Sequence, residues 1–475
     1  MQNIKNQSLL SFMTKDYEKG IKVTNPATGE VLGFAPVSSK SAILDCIEQS
    51  HVAQKQWAAL PAKSRAILLN RWYQLLLENK DDLARLMTLE QGKPFTEAKG
   101  EVLYGASFIE WFAEEAKRTY GETIPAPSAG KHLITVKQPV GVACAITPWN
   151  FPIAMITRKA APALAAGCSF VVKPSESTPL SAFAVAELAY QAGIPRQVLQ
   201  VVLGESSHQV GGIFTSHALI RKLSFTGSTQ VGSMLMQQSA HDIKRTSMEL
   251  GGNAPFIVFD DADIDAAVVG AMASKFRNAG QTCVCANRFY VHSKVYDEFV
   301  TKFDAAVQKL KVGNGLEEGS NVGPVISESA KQNIQAIIDS AIEQGAQPVS
   351  ELKVLGGLFM QPVVLKDVTH DMDIVSQEIF GPVAPVIAFD NDAHLIEMAN
   401  DTIYGLASYF YSQNIHRVWK VAEALEYGMV GINEGMISTE VAPFGGVKQS
   451  GIGREGAKQG IDEYLDVKYL CFGGN

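Results

Sequence analysis

Apolar and charged positions alternate at helical spacing through residues 41–118, interrupted at Pro61 and at Gly92-Lys93-Pro94, and this period predicts a run of surface-packed helices. From residue 140 the texture changes. The short apolar runs VGVACAIT, SFVVK, VLQVV and KLSFT are each followed by a turn and a longer stretch of helical period. Such a βαβ series predicts a parallel, doubly wound sheet with its ligands at the carboxyl ends of the strands. A second series opens at PFIVF, where Asp263 is placed to cap the helix IDAAVVGAMASKF, and continues through RFYVH, PVVL and APVIAF. Segments 121–139 and 461–472 alternate like strands but stand outside both series, as expected of a small sheet or arm used between subunits. The expected fold class is α/β, with two doubly wound parallel-sheet lobes plus a small β oligomerisation arm.

Length agrees, since 475 residues exceed one ordinary hydrophobic core. The balance of 41 basic against 49 acidic residues lacks the basic footprint of a nucleic-acid binder. No apolar run approaches the roughly 20 residues of a membrane span, and the opening MQNIKNQSLLSFMTKDYEKG has no long apolar core, so a cytoplasmic location and no membrane partner are expected. The six cysteines, Cys46, Cys144, Cys168, Cys283, Cys285 and Cys471, form no CxxC pair. Neither a disulfide framework nor a metal site is suggested, and all except Cys283 are read first as small buried hydrophobes.

The GxGxxG string Gly451-Ile452-Gly453-Arg454-Glu455-Gly456 is set aside as a dinucleotide fingerprint: no apolar strand precedes it and too little chain follows for a βαβ unit. KLSFTGSTQVG is a better phosphate turn. Its strand ends at Phe225-Thr226, and Gly227-Ser228 open a helix whose free N–H groups and positive end face an anion. Lys173-Pro174-Ser175-Glu176 follows the strand SFVV, putting a cation and a carboxylate at the same binding edge, where they suit ribose hydroxyls; the plain alternative is a solvated loop. Glu249 lies between Met248 and Leu250 before a Gly-Gly turn, a setting that raises a carboxyl pKa by desolvation toward what a general base needs. Cys283 sits in the polar, glycine-led stretch Gly280-Gln281-Thr282-Cys283, where a thiol can face a cleft.

These motifs, with Thr147-Pro148-Trp149-Asn150-Phe151-Pro152, Gln377-Glu378-Ile379-Phe380-Gly381-Pro382 and Pro443-Phe444-Gly445-Gly446-Val447-Lys448-Gln449-Ser450-Gly451, resemble the aldehyde dehydrogenase superfamily in identity and order over nearly the whole chain. The resemblance implies that Cys283 is the nucleophile, Glu249 the base for deacylation and Asn150 the side chain that joins the Cys283 N–H in holding the oxyanion. It implies a proton relay through Lys159 and Glu455. It implies NAD or NADP held by Trp149, Lys173, Pro174, Ser175, Glu176, Gly227, Ser228, Leu250, Glu378 and Phe380, with NAD favoured because Glu176 would repel a 2′-phosphate. Residues 1–120 and 141–250 then form the cofactor domain, 251–452 the catalytic domain, and 121–140 with 453–475 the arm of a homo-oligomer, a dimer of dimers.

The longer strings Lys275–Asn287, Met155–Lys159 and Asn433–Ser438 resemble the succinate-semialdehyde dehydrogenase branch, which implies that Arg158, Arg277 and Ser438 bind the distant carboxylate of a small-molecule aldehyde. Guanidinium forks suit a carboxylate and disfavour a neutral aldehyde. The alternatives are structural salt bridges for the arginines, and glutarate semialdehyde or a broader aldehyde range for the substrate. Cys283 and Cys285 form a candidate redox switch: the activated thiol oxidises readily, and a second thiol two positions on, in extended chain near the ~7 Å limit for bridging, is expected to resolve it with strain. Otherwise Cys285 is a small core residue.

Overall fold

The computed structural model describes residues 3–13 and 20–474; the parts of the expected cofactor domain and arm that fall on residues 1–2, 14–19 and 475 lie outside the described residues. A hairpin of β1 (Gly20–Thr24) and β2 (Val31–Pro36) leads into four helices, α1 (Lys40–Ala59), α2 (Ala62–Glu78), α3 (Lys80–Gln91) and α4 (Phe95–Glu115). The expected punctuation falls at their ends: Pro61 precedes α2, Gly92 closes α3 at φ 95°, and Pro94 precedes α4. There a missing N–H or a positive φ costs least.

Next come β3 (Thr123–Ile124) and β4 (Lys131–Pro139), then β5 (Val142–Ile146), α5 (Ala154–Ala166), β6 (Ser169–Lys173), α6 (Pro179–Gln191), β7 (Leu199–Val201), α7 (Ser207–Ser216), β8 (Ile220–Thr226), α8 (Thr229–Ser239) and β9 (Arg245–Glu249). The second series is β10 (Ala254–Val258), α9 (Ile264–Lys275), β11 (Ala286–His292), α10 (Tyr296–Val307), α11 (Glu328–Glu343), β12 (Gln347–Pro348), β13 (Val363–Lys366), α12 (Asp373–Ser376), β14 (Val383–Phe389), α13 (Asp392–Asn400), β15 (Ala407–Tyr411), α14 (Ile415–Ala424) and β16 (Met429–Ile432). Asp263 caps α9, its carboxylate accepting the Ala266 N–H at 3.0 Å. The chain closes with β17 (Gly451–Ile452), α15 (Ala457–Asp462) and β18 (Leu465–Gly473).

These strands make a six-stranded sheet in the order β17-β9-β8-β5-β6-β7 and a seven-stranded sheet in the order β12-β13-β14-β11-β10-β15-β16. Both are parallel except at the edge strands β17 and β12. Their apolar runs are continuous because both faces are covered. In β5, Ala143 and Ala145 face the core built with α2, α4 and α6, while Val142 and Cys144 face the one built with α1 and α7. In β10, Phe256 and Val258 face one core and Ile257 the other. Trp57 and Trp72 tie the helical layer down, their indole N–H groups donating to Leu164 O at 2.9 Å and Val185 O at 3.0 Å.

The third sheet, β18-β4-β3, is antiparallel. It corrects two expectations. The strand begins at Leu465, not at residue 461, because Ala457–Asp462 is helical. Cys471 is exposed rather than buried, since β18 pairs along one edge only and most of its residues face outward. Strands β9, β15 and β16 were not expected either. RTSME reads as polar, and ASYFY and MVGI are short and carry small or polar residues.

Candidate active site

A cleft of about 270 Å³ opens where the carboxyl ends of the six-stranded sheet meet the loops of the seven-stranded one. Asn150 and Cys283 both line it, together with Trp149, Gly227, Ser228, Leu250, Glu378 and Phe380. Residues from five separate stretches of the sequence are thereby brought together. Cys283 is partly accessible and stands in a turn closed by Cys285 N–H donating to Thr282 O at 3.2 Å. Gly252 lets the chain pack there: a Cβ on it would lie 2.2 Å from the Cys283 carbonyl. Burial pushes the Cys283 thiol up to about 12, with Arg158 pulling it down and Glu249 adding to the rise. A thiol raised in this way needs a proton acceptor before it can attack.

Asn150 is buried, and its amide donates to Gln281 O at 3.1 Å, which engages one of its two N–H bonds. Glu249 ends β9, and both its carboxylate oxygens are buried without a hydrogen-bond partner. Desolvation raises its pKa well above the carboxylate range, the neighbouring Glu455 raises it further, and Arg158 and Lys159 oppose the rise. The GIGREG string supplies the structural reason. Gly451–Ile452 is a strand, pairing antiparallel with Glu249 and Met248, and the chain beyond it brings Glu455 beside Glu249. Glu455 pairs with the Lys159 ammonium and the Arg158 guanidinium, both on the buried helix α5. The string is therefore a scaffold for the carboxylates.

At the opposite edge, Lys173 ends β6 and donates to Ser207 Oγ at 2.7 Å, while the Ser207 hydroxyl donates to Glu176 at 2.5 Å. Lys173 also pairs with Glu176 at 2.8 Å. Burial would raise Glu176, but Lys173 outweighs it and holds the carboxyl below its ordinary range. Ser207 was missed in the sequence, where SSHQ reads only as a helix start. Ser228 caps α8 by accepting the Val231 N–H, so the helix opens at the cleft as the phosphate-turn reading requires. Glu378 accepts the Gly252 N–H at 3.0 Å and is raised by burial to about 7. Phe380, at φ 50°, sets its ring edge-on to Trp149 at 5.7 Å. A helix N-terminus, an offset carboxylate and an aromatic-walled cleft beside the thiol fit a dinucleotide.

Arg158 is 2% exposed, its guanidinium 4.6 Å from the Phe444 ring centroid, with Nη2 buried and unpartnered. Burial would lower its pKa, but Glu455 holds it above the ordinary value. Arg277 lies just past α9 with its guanidinium 5.2 Å from the Phe151 ring. Ser438 is half-buried in the loop beyond β16. Cys285 is 1% exposed, and its thiol faces Lys275 O at 3.4 Å. The Cys283–Cys285 segment is a turn, not the extended chain expected, because Thr282 and Cys285 close it by a backbone hydrogen bond.

The model of the aldehyde dehydrogenase family matches residues 12–470. The chain is 59% identical over 460 residues to a glutarate-semialdehyde dehydrogenase of Pseudomonas putida, covering 97% of this chain and 96% of the relative. It is 56% identical over 473 residues to a succinate-semialdehyde dehydrogenase (NADP(+)) of Escherichia coli, covering 99% of this chain and 98% of the relative. The solved structure of succinate-semialdehyde dehydrogenase from Burkholderia pseudomallei superposes with a TM-score of 0.97 at 54% identity, covering 99% of this chain and 100% of that one. With a thiol and a raised carboxylate at a cleft between the two sheets, and near full-length matches in sequence and structure, the chain belongs to the aldehyde dehydrogenase family.

Proposed function

We propose that this enzyme oxidises succinate semialdehyde, or a close ω-carboxylated semialdehyde, to the acid through a covalent intermediate on Cys283. The observation that carries the substrate reading is the buried Arg158 guanidinium with an unpartnered Nη2, one residue from Lys159. A buried cation with a spare donor favours an anionic group and disfavours a neutral chain. Arg277 and Ser438 complete the proposed carboxylate site. The 59% identity to a glutarate-semialdehyde dehydrogenase supports a second reading, in which a substrate one methylene longer is accepted.

The residues divide the work. Cys283 Sγ adds to the aldehyde carbon as its proton passes to water in the cleft, and the resulting oxyanion is held by the free N–H of the Asn150 amide and the Cys283 backbone N–H. Trp149, Phe380 and Glu378 would hold the nicotinamide, which would supply the two-electron oxidation needed to reach the thioester. Glu249 then takes a proton from water, whose oxygen attacks the thioester carbon and breaks its bond to sulfur, releasing the acid and the Cys283 thiolate, and Glu455 with Lys159 passes the proton on. Gly227 and Ser228 would hold the pyrophosphate, Lys173, Pro174, Ser175 and Glu176 would hold the adenosine ribose, and Leu250 would line the cofactor site.

Residues 1–120 and 141–250 serve as the cofactor domain, 251–452 as the catalytic domain, and 121–140 with 453–475 as the arm of a homo-oligomer. NAD is preferred over NADP because Glu176 accepts ribose hydroxyls, although Lys173 and Ser207 offset its charge and moderate the preference. The deciding measurement is kcat/KM for succinate semialdehyde, glutarate semialdehyde and butanal, each with NAD and NADP. A butanal value equal to that of the semialdehydes overturns the substrate reading, and a higher value with NADP overturns the cofactor preference.

A further inference from the structure

The Gly92-Lys93-Pro94 link between α3 and α4, which the sequence marks only as punctuation, carries a lysine that is 2% exposed. A buried ammonium is costly unless its donors are met. All three are. Lys93 Nζ donates to Glu101 Oε2 at 2.5 Å and to the Asn150 carbonyl at 2.7 Å, and it lies 4.0 Å from the centroid of the Phe151 ring. The other oxygen of Glu101 accepts the N–H groups of Ile153 at 3.0 Å and Ala154 at 3.3 Å, the free donors where α5 begins. The turn that bears Asn150 is thus gripped at both ends by one ion pair anchored in the helical layer.

The same layer grips the approach to Cys283. Asn278 and Ala279 adopt φ 52° and 55°, a left-handed pair costly for residues with a Cβ. The Asn278 N–H donates to Glu97 at 2.8 Å, and its side chain accepts from Gln91 at 2.9 Å and donates to the Asn150 carbonyl at 3.1 Å. Gln91 also accepts the Lys93 N–H at 2.9 Å. The Asn150 carbonyl is therefore the point where the two turns are pinned together, receiving one donor from Lys93 and one from Asn278.

We propose that Lys93 is a positioning residue for the oxyanion site: locked by Glu101, it fixes the Asn150 carbonyl against the strained Asn278–Ala279 turn and so sets the Asn150 amide relative to the Cys283 N–H. The inference rests on the reading of Asn150 as an oxyanion donor. Lys93 touches neither substrate nor cofactor. It acts through placement, and a misplacement near 1 Å at such a site costs up to about 100-fold in rate.

The test is a double-mutant cycle on the full-length enzyme, read as the pre-steady-state burst of NADH with succinate semialdehyde. Lys93→Met is expected to slow the burst about 10- to 100-fold, to bring out a primary isotope effect with 1-deuterated aldehyde, and to leave NAD affinity within about threefold. In an Asn150→Ala background the same substitution is expected to cost little more, because the group it positions is gone. Glu101→Gln keeps an oxygen for the Ile153 and Ala154 N–H groups while removing the charge partner, and serves should Lys93→Met fail to fold; its loss is also expected to vanish beside Asn150→Ala. A burst of wild-type speed in both variants, or losses that simply multiply with that of Asn150→Ala, would overturn the proposal. A full-speed burst in Asn150→Ala alone would instead overturn the oxyanion reading beneath it.

Discussion

Replacing Arg158 with Ala separates two jobs that one guanidinium does at once. It pairs with Glu455, and it leaves a buried Nη2 without a partner. Losing Arg158 is felt by every aldehyde, because Glu455 keeps only its Lys159 partner and Glu249 loses a charge that opposes its rise, so the proton affinity of Glu249 climbs further. Losing a contact with a distant carboxylate is felt only by a substrate that has one. Truncating one partner of a buried charge pair costs about 2–5 kcal/mol. At about 1.4 kcal/mol per factor of ten, this is roughly 30- to 5,000-fold in kcat/KM. The measurement is kcat/KM for succinate semialdehyde and butanal, wild type and variant, at saturating NAD. The butanal loss reports the Glu455 part, and the excess on succinate semialdehyde, expected within that range, reports carboxylate binding. Arg277→Ala, whose guanidinium stacks on Phe151 away from Glu455, is expected to show the excess with a smaller common loss. Equal losses on both aldehydes would make the arginines structural, and the substrate assignment would fall with them.

Cys283→Ala is expected to abolish oxidation while NAD binding, followed by fluorescence, persists, whereas Glu249→Gln should keep a burst and lose steady turnover; an undiminished steady rate in Cys283→Ala refutes the covalent route. Because burial and Glu455 raise Glu249, its basic form is lost on acidification before an ordinary carboxylate would be. The steady rate should then fall with pH at a midpoint above the usual value of about 4.3, and a midpoint at that value contradicts the assignment. Peroxide followed by dithiothreitol should restore wild type and not Cys285→Ala if the two thiols form a switch. The buried Cys285 thiol, facing Lys275 O, must turn toward Cys283 first, so identical irreversible loss in both enzymes leaves it as core packing.

What the sequence made legible follows from what is local. Runs such as SFVVK and PFIVF announce themselves because a strand covered on both faces must be apolar throughout, and β6 and β10 are fully buried. RTSME hides because its polar residues are met by partners far along the chain: Ser247 donates to Glu463 at 2.9 Å, and Arg245 donates to Leu465 O at 2.7 Å. The same division holds in the site. Residue type and flanking pattern only suggested Cys283, Glu249 and the Gly227-Ser228 turn, and it was the resemblance of whole strings to a known family that nominated them. The pairing of Arg158 with Glu455 spans nearly 300 residues and comes from β17 lying beside β9, a register that a two-residue strand does not advertise. Lys93 is the sharper case. A lysine between Gly and Pro reads as a solvated turn, and only the packing of α4 against α5 reveals that its charge is buried, paired with Glu101 and used to hold Asn150. A buried charge is specified by its partner, and where the partner lies on another element the residue itself gives no sign of it.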